Sequence, residues 1–257
     1  MFDLLRETLV IEKKILWATI VYIMQKNALV IGAKRGIGKE LFQRLSGVYN
    51  TYGTVRILDK TNKTKNIIQL NLEDEDSILS AINNLEKTKL KFDLVLFIAA
   101  KTKFSESINS TRFGGPISIS EFEKYLKINC FSQIKFFEYM LYKSLLNENC
   151  RTVFFSSQSG SIEMRGKLKH NKKGGDILYR ISKAALNAGV KNIAYDLQDT
   201  NHIIVSLHPG FVKTDSGGPD ADLTVPFAVS EIFKLIEGLE LKHSGQFVNF
   251  DGKIIPW

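Results

Sequence analysis

The chain has 257 residues, 44% of them hydrophobic, enough to bury a sizeable core in one α/β domain. Its formal charge of +8, from 35 basic and 27 acidic residues, is scattered without a long basic block, and no single element interleaves aromatic with basic side chains, which excludes a nucleic-acid reader. The two cysteines, Cys130 and Cys150, form neither a CxxC pair nor a His cluster of metal spacing, which excludes a metal centre and suits a reducing cytoplasm.

The first 23 residues stand apart from the rest of the chain. The run 15–24 (ILWATIVYIM) is apolar but far short of the ~20 residues that a spanning helix needs. No small-residue cleavage site comes after it, so neither a membrane anchor nor a secretory signal is expected. Met24 opens MQKNALVIG like a natural start. Residues 1–23 are therefore read as an extension or upstream start, the rival being an amphipathic helix that docks on the body or on a partner subunit. Residues 24–257 are read as one domain.

From Lys26 onward, short apolar runs alternate with helix-length segments. Strands are predicted at 27–31, 54–58, 66–70, 94–98, 152–155, 203–207 and 245–249, with helices at 38–46, 75–85, 120–147, 178–200 and 226–238. Continuous apolar strands alternating with helices predict an α/β fold, a Rossmann-like doubly wound parallel sheet of about seven strands with helices on both faces. The stretches 113–116 and 166–175 read as loops within it.

Immediately after the first strand comes Gly32-Ala33-Lys34-Arg35-Gly36-Ile37-Gly38, leading into a helical run. Glycines permit positive φ and close backbone approach, and the next helix offers unpaired N–H groups and the positive end of its dipole to a pyrophosphate. A glycine trio between strand and helix is the context a dinucleotide site requires. At the predicted end of the second strand, Asp59 would bond a ribose hydroxyl and favour NAD, whereas Lys34, Arg35 and Lys60 would neutralise a 2′-phosphate and favour NADP. The two signals conflict, with a slight lean to NADP.

Tyr179-Arg180-Ile181-Ser182-Lys183 opens a predicted helix, and the four-residue offset puts phenol and ammonium on one face. An isolated phenol with pKa ~10 is a poor base near neutrality, and a nearby cation favours the phenolate and tunes it for proton exchange. Upstream, Ser156-Ser157-Gln158-Ser159-Gly160 places hydroxyls at the carboxyl end of a central strand, where open α/β sheets hold their ligands. His208, before Pro209 at a strand end, reads as structural.

The GxxxGxG turn, SxxG, YxxxK and Leu207-His208-Pro209-Gly210-Phe211-Val212-Lys213-Thr214 together resemble the short-chain dehydrogenase/reductase family over about residues 26–257. YRISKAALN, LHPGFVKTDSGGPDA and the ending SGQFVNFDGKIIPW resemble its C-factor and sniffer-type carbonyl reductase branch. The resemblance implies hydride transfer between nicotinamide and a small carbonyl or alcohol, with Asn129, Ser157, Tyr179 and Lys183 as catalytic residues. Ser157 would bond the substrate oxygen, Tyr179 would exchange the proton, and Lys183 would also bind the nicotinamide ribose. Asn129 would hold a water that links Lys183 to solvent. Pro209, Gly210, Val212 and Thr214 would fix the nicotinamide carboxamide. Members of the branch include proteins implicated in signalling, so a catalytically weak cofactor-binding signalling protein is the alternative.

Three departures from the family pattern stand out. Phe97-Ile98-Ala99-Ala100 replaces NNAG, leaving the backbone of Ala99 and Ala100 to line the adenine ribose. Asn71 replaces the usual acid, beside Leu72 at the adenine edge. The basic stretch 165–173 (RGKLKHNKK) lengthens the gap between Ser157 and Tyr179 and would lie near the substrate entrance. The long helices resemble those that form homodimer and homotetramer contacts in the family, and Phe131, Phe136 and Phe137 suit either such contacts or internal packing.

Overall fold

A computed structural model describes residues 25–58, 66–102, 117–167 and 176–257. Seven strands, β1 (Asn27–Ile31), β2 (Asn50–Val55), β3 (Ile67–Gln69), β4 (Phe92–Phe97), β5 (Leu146–Phe155), β6 (Ile203–His208) and β7 (Phe247–Asn249), form one sheet in the order β3-β2-β1-β4-β5-β6-β7. Every pairing is parallel. The predicted doubly wound architecture is therefore observed, and the strand order reverses between β1 and β4, where ligands bind in such sheets.

Helices cover both faces because both faces of the central strands are apolar. On one side, α1 (Gly36–Leu45) and α6 (Val225–Glu237) pack Leu41, Leu45, Val229 and Ile232 onto Val30, Leu96, Val153 and Val205. On the other, α2 (Glu75–Lys87), α4 (Ser132–Tyr142) and α5 (Ile177–Asp196) pack Ile82, Phe136, Phe137 and Val190 onto Leu29, Val95, Phe154 and Ile204. Phe97 and Phe154 stack at 4.4 Å between centroids, with Phe136 and Phe137 edge-on to them. Phe136 and Phe137 thus belong to the core, whereas Phe131 is exposed.

Two predicted elements are corrected. The helix predicted over 120–147 is α3 (Ile119–Leu126), a π turn (Lys127–Phe131) and α4. It stops at Tyr142, Ser144 takes a positive φ of 53°, and Leu146 pairs with Phe92 to begin β5. The second strand lies earlier than predicted, at Asn50–Val55. Its signal is masked by Asn50, Thr51 and Gly53, a polar and glycine-containing start that breaks the apolar run expected of a buried strand. Gly53 is required there, because a Cβ would come within 2.8 Å of Ala33 Cβ and 2.9 Å of the Phe42 ring.

Candidate active site

A cleft of about 1670 Å³ opens over the carboxyl ends of the strands. The glycine turn forms one wall. Gly32 has φ +100°, and a Cβ on it would lie 2.8 Å from Ala99 N; a Cβ on Gly38 would lie 2.0 Å from Gly32 O. Gly36, at φ +54°, packs against Thr214, whose Cγ2 would lie 3.2 Å from a Cβ there. Gly32 N donates to Thr54 Oγ1 at 3.1 Å and Ala33 N to Thr54 O at 2.8 Å, which ties the turn to β2. At the start of α1, Arg35 makes no side-chain cap and the first turn holds no acid, so its N–H groups and dipole remain available to an anion. These residues fit a dinucleotide phosphate.

The remaining residues expected at the cofactor line the same cleft: Lys34, Arg35 and Ile37 beside the glycines, Asn71 and Leu72 after β3, Ala99 and Ala100 after β4. Gln133, buried in α4, donates to Ala99 O at 3.0 Å and fixes that segment; an uncharged polar residue in an apolar helix face was its only signal in the sequence. The opposite wall holds Pro209, Gly210, Val212 and Thr214. Gly210 has φ +87°, and Thr214 Oγ1 accepts from Gly217 N at 3.2 Å. Arg35 pairs with Asp215 at 2.8 Å, and both side chains are largely exposed. Asp59 and Lys60 lie outside the described residues. Arg56, hidden in the sequence by its place inside the predicted second strand, directly follows β2 and lines the cleft.

The floor carries the residues expected to be catalytic. Ser157 follows β5 in extended conformation and its Oγ accepts from Ser159 N at 3.1 Å. A Cβ on Gly160 would lie 2.8 Å from the Lys183 backbone, so glycine lets the serine turn sit directly against α5. Tyr179 and Lys183 face the cleft from α5, and the Lys183 Nζ is 6.0 Å from the Tyr179 ring centre. The buried Lys183 ammonium donates to Phe155 O at 2.6 Å.

Burial governs the electrostatics. It pushes the Tyr179 phenol up to about 12, against the lowering effect of a hydrogen bond with Ser157, while Asp176 and Tyr125 raise it further. It also pulls Lys183 down to about 7, with Cys130 acting weakly in the opposite sense. The helical offset alone predicts that the ammonium makes the phenol more acidic; in this arrangement burial sets the direction and raises it, and Tyr179 holds its proton at neutral pH. His208 is pulled down to about 4 by burial, which leaves it neutral at pH 7.

Asn129 sits in the π turn, fully buried. Its Oδ1 accepts from Lys101 N at 2.7 Å, and its Nδ2 donates to Lys101 O and to Ser182 Oγ, both at 3.0 Å. Ser182 Oγ in turn donates to Tyr179 O at 2.8 Å. The Asn129 side chain therefore clamps the exit of β4 to the helix bearing Tyr179 and Lys183. Of the basic stretch after Ser157, Lys167 lines the cleft and pairs with Glu163 at 3.1 Å, while residues 168–175 lie outside the described residues. Among the described residues no group of His, Cys, Asp and Glu has a metal-binding arrangement.

A glycine-turned cleft at the switch point of a parallel sheet, floored by serine, tyrosine and lysine, defines a nucleotide-dependent α/β oxidoreductase. The family model described as enoyl-(acyl carrier protein) reductase matches residues 48–224, and the chain belongs to the short-chain dehydrogenase/reductase family of oxidoreductases. C-signal of Myxococcus xanthus is 46% identical over 92 residues, 36% of this chain and 55% of that one, so the match spans about half of C-signal. The carbonyl reductase Sniffer of D. melanogaster superposes with a TM-score of 0.76 at 27% identity, covering 91% of this chain and 100% of that one. A short-chain dehydrogenase/reductase of Burkholderia multivorans with bound NADP superposes with a TM-score of 0.74 at 25% identity, over 91% and 100%.

Proposed function

We propose that this protein reduces a small carbonyl compound, with Tyr179 as proton donor, Ser157 as the second hydrogen-bond partner of the carbonyl oxygen and NADP as the preferred cofactor. The observation that carries the reading is the convergence of Ser157, Tyr179 and Lys183 on the floor of the cleft whose wall is the glycine turn. Gly32, Gly36, Ile37 and Gly38 would hold the pyrophosphate, Asn71, Leu72, Ala99 and Ala100 the adenosine end, and Lys183, Pro209, Gly210, Val212 and Thr214 the nicotinamide end. When bound, the nicotinamide supplies the hydride. A phenol that keeps its proton at neutral pH suits donation to a developing alkoxide, so reduction is the favoured direction. Lys183 orients the ribose and, with its Nζ 6.0 Å from the ring centre, is a cation close to a phenolate left after transfer. Asn129 holds α5 and the β4 exit in register and completes the proton path.

The lean to NADP is supported by Arg56, Lys34 and Arg35 at one rim, together with the NADP carried by the Burkholderia relative. We read residues 24–257 as one cofactor-binding domain and 1–23 as an appendage. The two cysteines are free thiols, which suits a cytoplasmic enzyme, and no described helix is long and apolar enough to cross a membrane. Exposed Phe131, Tyr142 and Tyr195 on the π turn, α4 and α5 support a homodimer or homotetramer through these elements.

Tyr179→Phe should retain NADPH binding, read by fluorescence titration, and lose about 10²–10⁴-fold of its carbonyl reductase rate. Activity at the original rate would remove the assignment. Cofactor binding without turnover of any carbonyl or alcohol by the unmodified protein would favour the signalling alternative that the C-signal likeness raises.

A further inference from the structure

Helix α5 buries eight residues, among them the stripe Lys183, Asn187, Val190 and Ala194. Its lower part is largely apolar: Val190 and Ala194 pack with Phe154 and Ile204, and the one hydroxyl on the Ile204 rung, Thr152, meets Cys150 Sγ. Its upper part is not. Ser206 pairs with Phe154 one rung above Ile204 and, by the two-residue alternation of a strand, faces α5 as Ile204 does. Because α5 runs back along the strands, Asn187 lies over that rung and Lys183 over the strand ends, where its Nζ meets Phe155 O. Ser156 and His208 follow the last β5–β6 pair, Phe155 and Leu207, and by the same alternation fall on the next rung of this face; Asn249 pairs with His208.

This layer concentrates buried polar atoms that no described protein group satisfies. Ser156 Oγ, Ser206 Oγ, both amide atoms of Asn187, His208 Nδ1 and Asn249 Oδ1 are all buried and without a partner among the described residues. Ser206, Asn187 and Ser156 are at most 3% exposed. On the other face of the same strands, Val153, Phe155, Val205 and Leu207 fill the corresponding positions with apolar atoms. A buried hydroxyl or amide without a partner is costly, and buried polar groups in this situation bind ordered water.

We propose that the space between α5 and the sheet behind Lys183 is an internal water site, held by Asn187, Ser206 and Ser156 and reaching the cleft past His208 and Asn249, that hydrates the Lys183 ammonium. At about three hydrogen bonds per water, the six atoms named call for about two waters. An ammonium has three donors, of which the Phe155 carbonyl takes one; a water that hydroxyls and the Asn187 carbonyl accept from is free to accept the second. Asn187 and Ser206 are then positioning residues that keep Lys183 charged through solvent. The charged and titratable groups around Lys183 are Cys130 from the π turn, Tyr179 on its own helix with Asp176 at that helix's start, and His208 from β6 with Asp251 beyond β7.

The proposal rests on the reading of Lys183 as the charged partner of Tyr179, and its test separates the two. In a high-resolution crystal structure of the full wild-type chain, density for water is expected between Asn187 and Ser206 and within hydrogen-bond distance of Lys183 Nζ; a dry layer in which these side chains bond one another directly overturns the site. In solution, Ser206→Ala and Asn187→Leu should each move the midpoint at which kcat falls with rising pH to a value lower by about one pH unit, a tenfold change in proton affinity, and Ser206→Thr should restore it. An unmoved profile in both variants overturns the proposal even if overall rates fall. If the water is seen but Tyr179→Phe remains fully active, the catalytic reading fails and the site survives.

Discussion

The layers on the two faces of the sheet solve different problems with the same strands. Under α1 and α6 the packing is apolar from the bottom of the strands to the top, with Leu41, Ile232, Ile236, Val205 and Leu207 all at most 1% exposed. Under α5 it is largely apolar in the lower half, with Thr152 beside Ile204 the polar exception, and above Ile204 gives way to Ser206, Asn187, Ser156 and Lys183. The first layer holds the glycine turn rigid and needs only shape. The second must hold an amine that titrates near neutrality, and tolerates polar atoms that a pure scaffold would replace. Stability and chemistry are thereby assigned to opposite faces of β5 and β6.

Truncating the dry layer should give the largest stability effect. Ile232→Ala removes side-chain atoms that are fully buried under α6, and should cost about 2–5 kcal/mol in denaturant unfolding with little change in KM. A cost below that of an ordinary surface substitution would show that the layer repacks freely.

Lys183→Met probes the polar layer, and here the effect depends on pH. Burial lowers the lysine from 10.5 in the unfolded chain to about 7 in the fold. Between those values the unfolded chain binds more protons, so this residue makes stability rise with pH across that window. Below about 7 both states are protonated and the full cost of burying the charge is present; above 10.5 both are neutral and none remains. The methionine variant, measured without cofactor, should therefore gain thermal stability most clearly at pH 6, with the gain fading toward pH 10. An equal gain at both pH values would mean that the ammonium is not desolvated.

How much of this was legible in the sequence follows the same division. Apolar runs such as LVI, LVLF and VFF announced the strands, because strands covered on both faces leave no polar alternation, and the glycine turn and YxxxK were readable because backbone approach and helical spacing constrain residue type locally. Contacts made across the fold were not. Gln133 on Ala99 O and Asn129 on Lys101 join residues far apart in sequence, and nothing nearby marks them or the buried, unpartnered Ser206 and Asn187. The direction of the Tyr179 shift was also hidden, since the offset between phenol and amine is local whereas burial is a property of the whole cleft.

The smallest expected effect concerns the edge where the strand boundary was misplaced. Extending β2 to residue 58 made Asp59 the strand-end side chain and put a carboxylate where a ribose hydroxyl would sit. With β2 ending at Val55, Arg56 becomes the first residue beyond the strand, exposed and on the cleft wall. A guanidinium there forms charge-assisted bonds to a 2′-phosphate and gains nothing from a bare hydroxyl. Arg56→Ala should accordingly weaken NADPH binding about tenfold, the equivalent of ~1.4 kcal/mol, and leave NADH binding within about twofold, as a paired fluorescence titration would read. Equal losses for the two cofactors would assign Arg56 to the shared part of the dinucleotide, and the preference would then have to come from Lys34 or Arg35 beside the glycine turn.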